Sequence, residues 1–479
     1  MASVKKNFGY NLILTFCNYL FPLLTYPYVS RVLGVDRIGT CNFVDGIINY
    51  FVLFSALGVG SYGVREIAKC KDDADRRSCV FTNLVVLNAI GTFVSVLILI
   101  ILTFELDSLQ EYRNFLWIGV AKLVFSLFLI EWFFQGIQNF RFITIRSVIV
   151  RLLYIVCVFV FIHTKEDTLI YYGLTSFTIV VNSIINWNFS RRYRHFSFKY
   201  INLKSFIIPI LAFGYYRLLT SMYTTFNLVF LGFATNDTEV GYFSTATKLY
   251  SILMGVFTAF TTVMVPKVSE LLASGDYANL QRIANKTFSA LTIVALPIIV
   301  FCLFCTEDII LTLSGSGYEG AYTPFKIVIF LLLIIGMEQI VIQQFLMASQ
   351  SNKSIFMVST IGAVVGVLLN ICITPRLGAI GSAISWGISE FTVLCVGMHL
   401  TKKYVGIKLQ ISTLFANVLW TSLYIIPLAA IYTLHLSQWL NLIACAVSTG
   451  VVFFILNLRV RKNELVADTV GKILNKVGR

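Results

Sequence analysis

Apolar runs of roughly twenty residues recur along the whole chain, each long enough to cross about 30 Å of hydrocarbon as a helix. Their spacing predicts about fourteen transmembrane helices, from residues 7–29 at one end to 439–457 at the other. A barrel would show weaker segments of alternating polarity instead, so the expected fold class is an all-α membrane protein. The connections are short. Even the longest, residues 266–286 and 306–323, are too small to be domains, which places the activity within the membrane.

Polar positions interrupt this pattern in a regular way. In residues 31–69 two apolar segments are joined through a Gly-punctuated turn, and one carboxylate, Asp45, lies deep in the second. Burying a charge at that depth costs about 2.5–3.5 kcal/mol on insertion scales, so Asp45 needs a partner or a task. At an offset of 202 residues the pattern returns: Ile38-Gly39 answers to Val240-Gly241, Asn42 to Ser244, Asp45 to Thr247, Asn49 to Ser251 and Arg65 to Lys267. Lys248 stands beside the position equivalent to Asp45. A second echo, at offset 212, pairs Gly136, Gln138 and Arg141 with Ala348, Gln350 and Lys353. Matching order and orientation favour a parallel repeat of six helices plus six, with two helices appended. The expected organisation is an N-terminal lobe over 1–204, a C-terminal lobe over 205–405, and the extra helices with a tail over 406–479.

Within the repeats the polar residues form seams. Asn42, Asp45 and Asn49 share one helix face, as do Ser244, Lys248 and Ser251 in the eighth segment. The first segment aligns Asn11, Thr15, Asn18, Pro22 and Thr25, and the seventh aligns Arg217, Ser221 and Thr224. Four seams at matching places describe a hydrophilic cavity. The competing reading is that they glue helices together through interhelical hydrogen bonds, each worth about 0.6 kcal/mol. That reading is weakest for Arg217 and Lys248, because a cation inside a bundle needs an anion: Asp45, or a ligand. Lys326 and Arg151 sit near a membrane face and read as snorkelling side chains. Lys122 is intermediate. Glu131, Glu338 and Glu390 are candidates for proton or sodium coupling, with structural pairing to a cation as the alternative.

Composition agrees with the membrane reading: 57% of residues are hydrophobic and 13% charged, against about 25% charged in soluble domains. The net charge of +14 does not indicate nucleic acid, since no soluble basic domain exists to hold it. Lys and Arg gather instead in alternate connections, on the side of Lys5, Lys6, Arg76, Arg77, Arg191 and Arg192, which predicts both termini in the cytoplasm. The first apolar run shows no cleavage pattern and is expected to be a retained span. Cys302 and Cys305 form the one CxxC, inside a predicted helix, and read as small packing residues. The histidines lack partners at metal-ligand spacing, no Walker sequence is present, and no nucleophile elbow appears, so no metal, cofactor or enzyme chemistry is expected.

YPYVSRVLGVDRIGTCNF, the GVREIAK after the second segment, QGIQNFR after the fourth and LGAIGSAISWGISEF in the twelfth resemble the bacterial polysaccharide repeat-unit flippases. These are a family of the multidrug/oligosaccharidyl-lipid/polysaccharide exporter superfamily, and the resemblance covers nearly the whole chain. It implies two six-helix lobes in a V, and passage of an undecaprenyl-pyrophosphate-linked oligosaccharide from the cytoplasmic to the outer leaflet of the inner membrane by alternating access, for O-antigen or capsule. It implies a cationic cavity, which here falls on Arg217 and Lys248 with Arg31 at the mouth and Lys122 in support. Asp45, Asn18, Asn42, Asn49, Ser221 and Ser251 would line it or pair its charges. The partners it implies are the lipid-linked glycan, the bilayer, and the polymerase and glycosyltransferases of the same polysaccharide. A drug or cation antiporter of the same superfamily is the alternative, and acidic cavity residues would favour it.

Overall fold

The computed structural model describes residues 4–197, 201–349, 352–461, 463 and 466–467. Gln350, the side chain of Asn11 and the tail 468–479 lie outside the described parts. All regular structure among the described residues is helical. Eleven helical stretches among the described residues are long and apolar enough to cross a membrane. Two of them, Ile13–Ala56 and Lys353–Tyr404, run for 44 and 52 residues, twice what one crossing needs, and each is two crossings. The helix Asp237–Ser274 carries the eighth apolar run. The all-α membrane fold expected from the apolar pattern is the observed one.

The doubled helices show how glycine replaces a loop. The turns expected near residues 34 and 378 are single-residue kinks: Gly34 adopts φ 81° and Gly378 φ 55°, conformations costly for a residue with a Cβ, and the helix resumes at once on either side. At the second kink Glu239 accepts a hydrogen bond from the Ala379 amide at 2.6 Å, satisfying a donor that the kink frees.

The contacts divide the chain into two compact units, residues 1–244 with 362–385, and residues 245–361 with 386–479. In the first, the closest backbone approach joins positions that the 202-residue repeat makes equivalent. A Cβ on Gly39 would lie 1.7 Å from the Asp237 carbonyl oxygen, and one on Gly241 would lie 2.3 Å from that of Val35. One turn on, Asn42 donates to the Ser244 hydroxyl at 3.0 Å. Asp237 closes this junction by accepting from Thr40 and, at 2.8 Å, from the Tyr112 hydroxyl. Residues 362–385 join the same unit through buried Asn370, which donates to Asn227 and accepts from Thr374 at 2.9 Å.

The fourth span is broken, and the repair is specific. Its helix ends at Ser126 and restarts at Glu131, with Ile130 at φ 29°. Freed carbonyls of Phe125 and Leu129 accept from Ser183 and Asn186, and buried Arg146 bridges Asn186 to Glu131. In the second unit, Thr292, Asn417 and Arg461 form a comparable polar chain: Asn417 donates to Thr292 at 2.7 Å and accepts from Arg461 at 2.7 Å.

The glycine junction sets the first expectation. Gly39→Ala should cost at least about 1–3 kcal/mol, because its Cβ meets backbone that cannot move aside. Gly450→Ala, whose Cβ meets open space in a helix, should be neutral or stabilising by up to about 1 kcal/mol. Thermal unfolding of both variants in detergent separates the two outcomes.

Candidate functional site

The site in the first unit is built on two helices. Beyond the Gly34 kink, the helix Val4–Ala56 presents Asn42, Asp45 and Asn49 on one face, as its spacing predicts. Opposite runs the seventh span, which is itself interrupted: Leu203–Ser221 ends, a turn passes through Met222 and Thr224, and Thr225–Ala234 resumes. Non-helical backbone at membrane depth is stable only where protein or a watery cavity covers it. Here it borders a cavity of about 390 Å³ whose polar lining includes Asn49, Tyr50, Arg217, Ser221 and Thr224. Tyr50 ties the two walls by donating to the Ser221 carbonyl at 3.0 Å.

The electrostatics of this cavity rest on which charges are matched. Asp45 binds Lys122 and also accepts from Asn49 at 3.0 Å, while Lys122 donates to Asn49 at 3.2 Å. That closed trio answers the cost of Asp45: its partner is Lys122, inside the same unit. Lys122 is therefore a neutralised cation. Arg217 differs, being exposed and carrying no ion pair among the described residues. Gly60 is its neighbour: a Cβ there would lie 3.6 Å from the guanidinium, an ordinary contact distance.

The other predicted residues are distributed as follows. Arg31 is exposed, and its guanidinium donates to the Pro27 carbonyl at 2.7 Å. Asn18 is exposed on the first span. Lys248 belongs to the second unit, half-buried in Asp237–Ser274, with the exposed Ser251 hydroxyl donating to the Thr247 carbonyl at 2.7 Å. Glu131 is engaged by Arg146, a buried cation that sequence reasoning did not single out. The available signal was Glu131 itself, an intramembrane carboxylate needing a cation one helix away.

The second unit holds a different group. The Glu338 and Glu390 side chains are neighbours, and the Trp386 indole donates to Glu390 at 2.8 Å. Gln339, next in sequence, donates to Thr258 at 2.9 Å and opens a π-helical turn over Gln339–Leu346. Neither carboxyl forms a salt bridge among the described residues.

The arrangement of helices is similar to that of solved transporters. It matches the structure titled lipid II flippase MurJ, inward closed conformation, with a TM-score of 0.76 at 14% identity, covering 94% of this chain and 98% of that one. It matches the inward-facing conformation of a multidrug resistance MATE family transporter of the MOP superfamily with a TM-score of 0.63 at 13% identity, covering 83% and 99%. The fold is thus that of a polytopic helical membrane protein, shared with these transporters. Residues 214–372 match the MatE family model, and residues 4–272, more than half the chain, match the family described as polysaccharide biosynthesis protein. The chain belongs to that polysaccharide biosynthesis protein family. It is 24% identical over 395 residues to a protein of Escherichia coli (strain K12) named "Putative O-antigen transporter", covering 82% of this chain and 95% of that one.

The Asp45–Lys122 pair yields a test of its structural role. Lys122→Met should destabilise by on the order of 2 kcal/mol, below the roughly 3–5 of a fully buried pair because the Asp45 side chain is 35% exposed. Asp45→Leu combined with Lys122→Met should recover most of that loss. Equal melting temperatures for the single variant and the wild type would show that the pair contributes nothing to the fold.

Proposed function

We propose that the protein is a flippase whose cargo is an undecaprenyl-pyrophosphate-linked oligosaccharide, moved from the cytoplasmic to the outer leaflet by alternating access. The observation that carries this reading is Arg217: an arginine without an ion-pair partner among the described residues, in a cavity otherwise lined by amides, hydroxyls and apolar side chains. A diphosphate leaving the headgroup layer gives up water, and a guanidinium replaces that hydration with two parallel charge-assisted hydrogen bonds. In a desolvated cavity the attraction is several times stronger than in bulk water. Asn49, Tyr50, Ser221 and Thr224 suit sugar hydroxyls, and the polyprenyl tail stays in the bilayer.

In this reading Lys248 supplies a second cation during the cycle, Arg31 meets the cargo at the mouth, and the Glu338–Glu390 pair exchanges the coupling proton. Both termini face the cytoplasm, the membrane is the inner one, and the polymerase and glycosyltransferases of the same glycan act before and after. The names of similar proteins, an O-antigen transporter and a lipid II flippase, support a lipid-linked glycan as the cargo class. An antiporter of cationic drugs is disfavoured, since the charged side chain lining the cavity is an arginine.

Deleting the gene in its host should leave complete lipid-linked repeat units on the cytoplasmic leaflet and remove surface polysaccharide. Complementation with Arg217→Ala or Lys248→Ala should fail while the protein remains in the membrane, and Lys326→Ala should restore display. Normal polysaccharide with heightened sensitivity to cationic drugs would establish the antiporter, and incomplete units would establish an enzyme.

A further inference from the structure

The second unit contains a basic cleft that no part of the transport reading uses. The helix Asn352–Tyr404 ends with Lys402 and Lys403 in its last turn, the chain turns at Gly406 with φ 78°, and the next helix begins at Ile411. Between them lies a cavity of about 290 Å³, at the small end for a ligand site. Lys402, Lys408 and His399 line it, its remaining walls are mainly apolar, among them Val341, Phe345 and Ile411, and no carboxylate takes part.

The cleft is built and not merely draped. Gln281 clamps the backbone of Lys408 from both sides, accepting from its amide at 3.0 Å and donating to its carbonyl at 2.6 Å. Val405 and Ile407 are buried to either side of the glycine, and Thr401 donates to the Val341 carbonyl at 3.2 Å. The backbone at Lys408 is thus fixed, and Lys408 lines the same cavity as Lys402. Lys403 is directed elsewhere, over the Tyr404 ring at 5.5 Å. Beside the cleft the helix Ile411–Ser422 exposes Phe415 and Leu419, at 67% and 74%, an apolar face continuous with the membrane.

We propose that this cleft binds the headgroup of an anionic phospholipid, its phosphate between Lys402 and Lys408 and its acyl chains along the exposed face of the helix that follows. Cations matched to an apolar floor suit an amphiphilic anion, whereas a soluble anion gains nothing from Val341, Phe345 or Ile411. The size of the cleft admits a headgroup and excludes an oligosaccharide, which separates this site from the cargo.

The test uses the full chain purified in neutral detergent, titrated with phosphatidylglycerol or phosphatidylcholine and followed by native mass spectrometry. Wild-type protein should retain phosphatidylglycerol preferentially. Each of Lys402→Gln and Lys408→Gln should weaken that retention about fivefold, and the two together roughly twenty- to thirtyfold. Lys403→Gln should leave it unchanged, and the Lys402→Arg, Lys408→Arg double variant should preserve it, which controls for folding. Undiminished retention in the double glutamine variant overturns the proposal. So does displacement of the lipid by glycerol phosphate at equal concentration, which would make the cleft a soluble-anion site. Because the readout is lipid retention, failure here leaves the flippase reading untouched, and failure of the flippase reading does not alter this result.

Discussion

The packing of Gly39 against Gly241 is the constraint on which the first unit depends. With no Cβ on either residue, the helix after the Gly34 kink and the helix Asp237–Ser274 approach until backbone touches backbone. That proximity lets Asn42 reach Ser244 and lets one carboxylate, Asp237, serve two other helices through Thr40 and Tyr112. Residues that correspond in the repeat therefore meet each other. Contact between equivalent positions is what a local pseudo-twofold relation requires, and a glycine is the residue that each side can contribute without clashing with its own counterpart.

Charge is handled by a similar economy of partners. Of the intramembrane carboxylates, Asp45 is matched to Lys122 and Glu131 to Arg146. Arg217 remains without an ion pair among the described residues, and so sets the sign of the cavity it lines. A bundle that neutralised every charge internally would be stable and inert. Leaving the Arg217 guanidinium without an ion pair keeps a demand for an anion at the cavity.

Much of this was legible in the amino-acid order, because membrane helices are long and their solvent is uniform. The apolar runs, the repeat and the polar face of residues 42–49 all follow from periodicity along one helix. What periodicity cannot supply is the neighbour. Lys122 lies 77 residues from Asp45 on another helix, and the choice between Asp45 and a ligand as the anion for Arg217 and Lys248 had no means of weighing that pairing. Arg146 was passed over for a related reason: it stands near the start of its helix, where a basic residue reads as part of a connection, and only the break at Ile130 brings Glu131 and Asn186 to it. The kinks at Gly34 and Gly378 were visible as glycines, though the helix continuing through them was not.

The π-helical turn at Gln339–Leu346 carries a mechanical implication. Such a turn is an α-helix with one surplus residue, and the surplus can be handed along the backbone one hydrogen bond at a time. As it passes, each residue it crosses rotates by about 100° about the helix axis while both ends keep their places. Such a shift would turn Gln339 and Gln344, both within this segment, about the helix axis in the same sense.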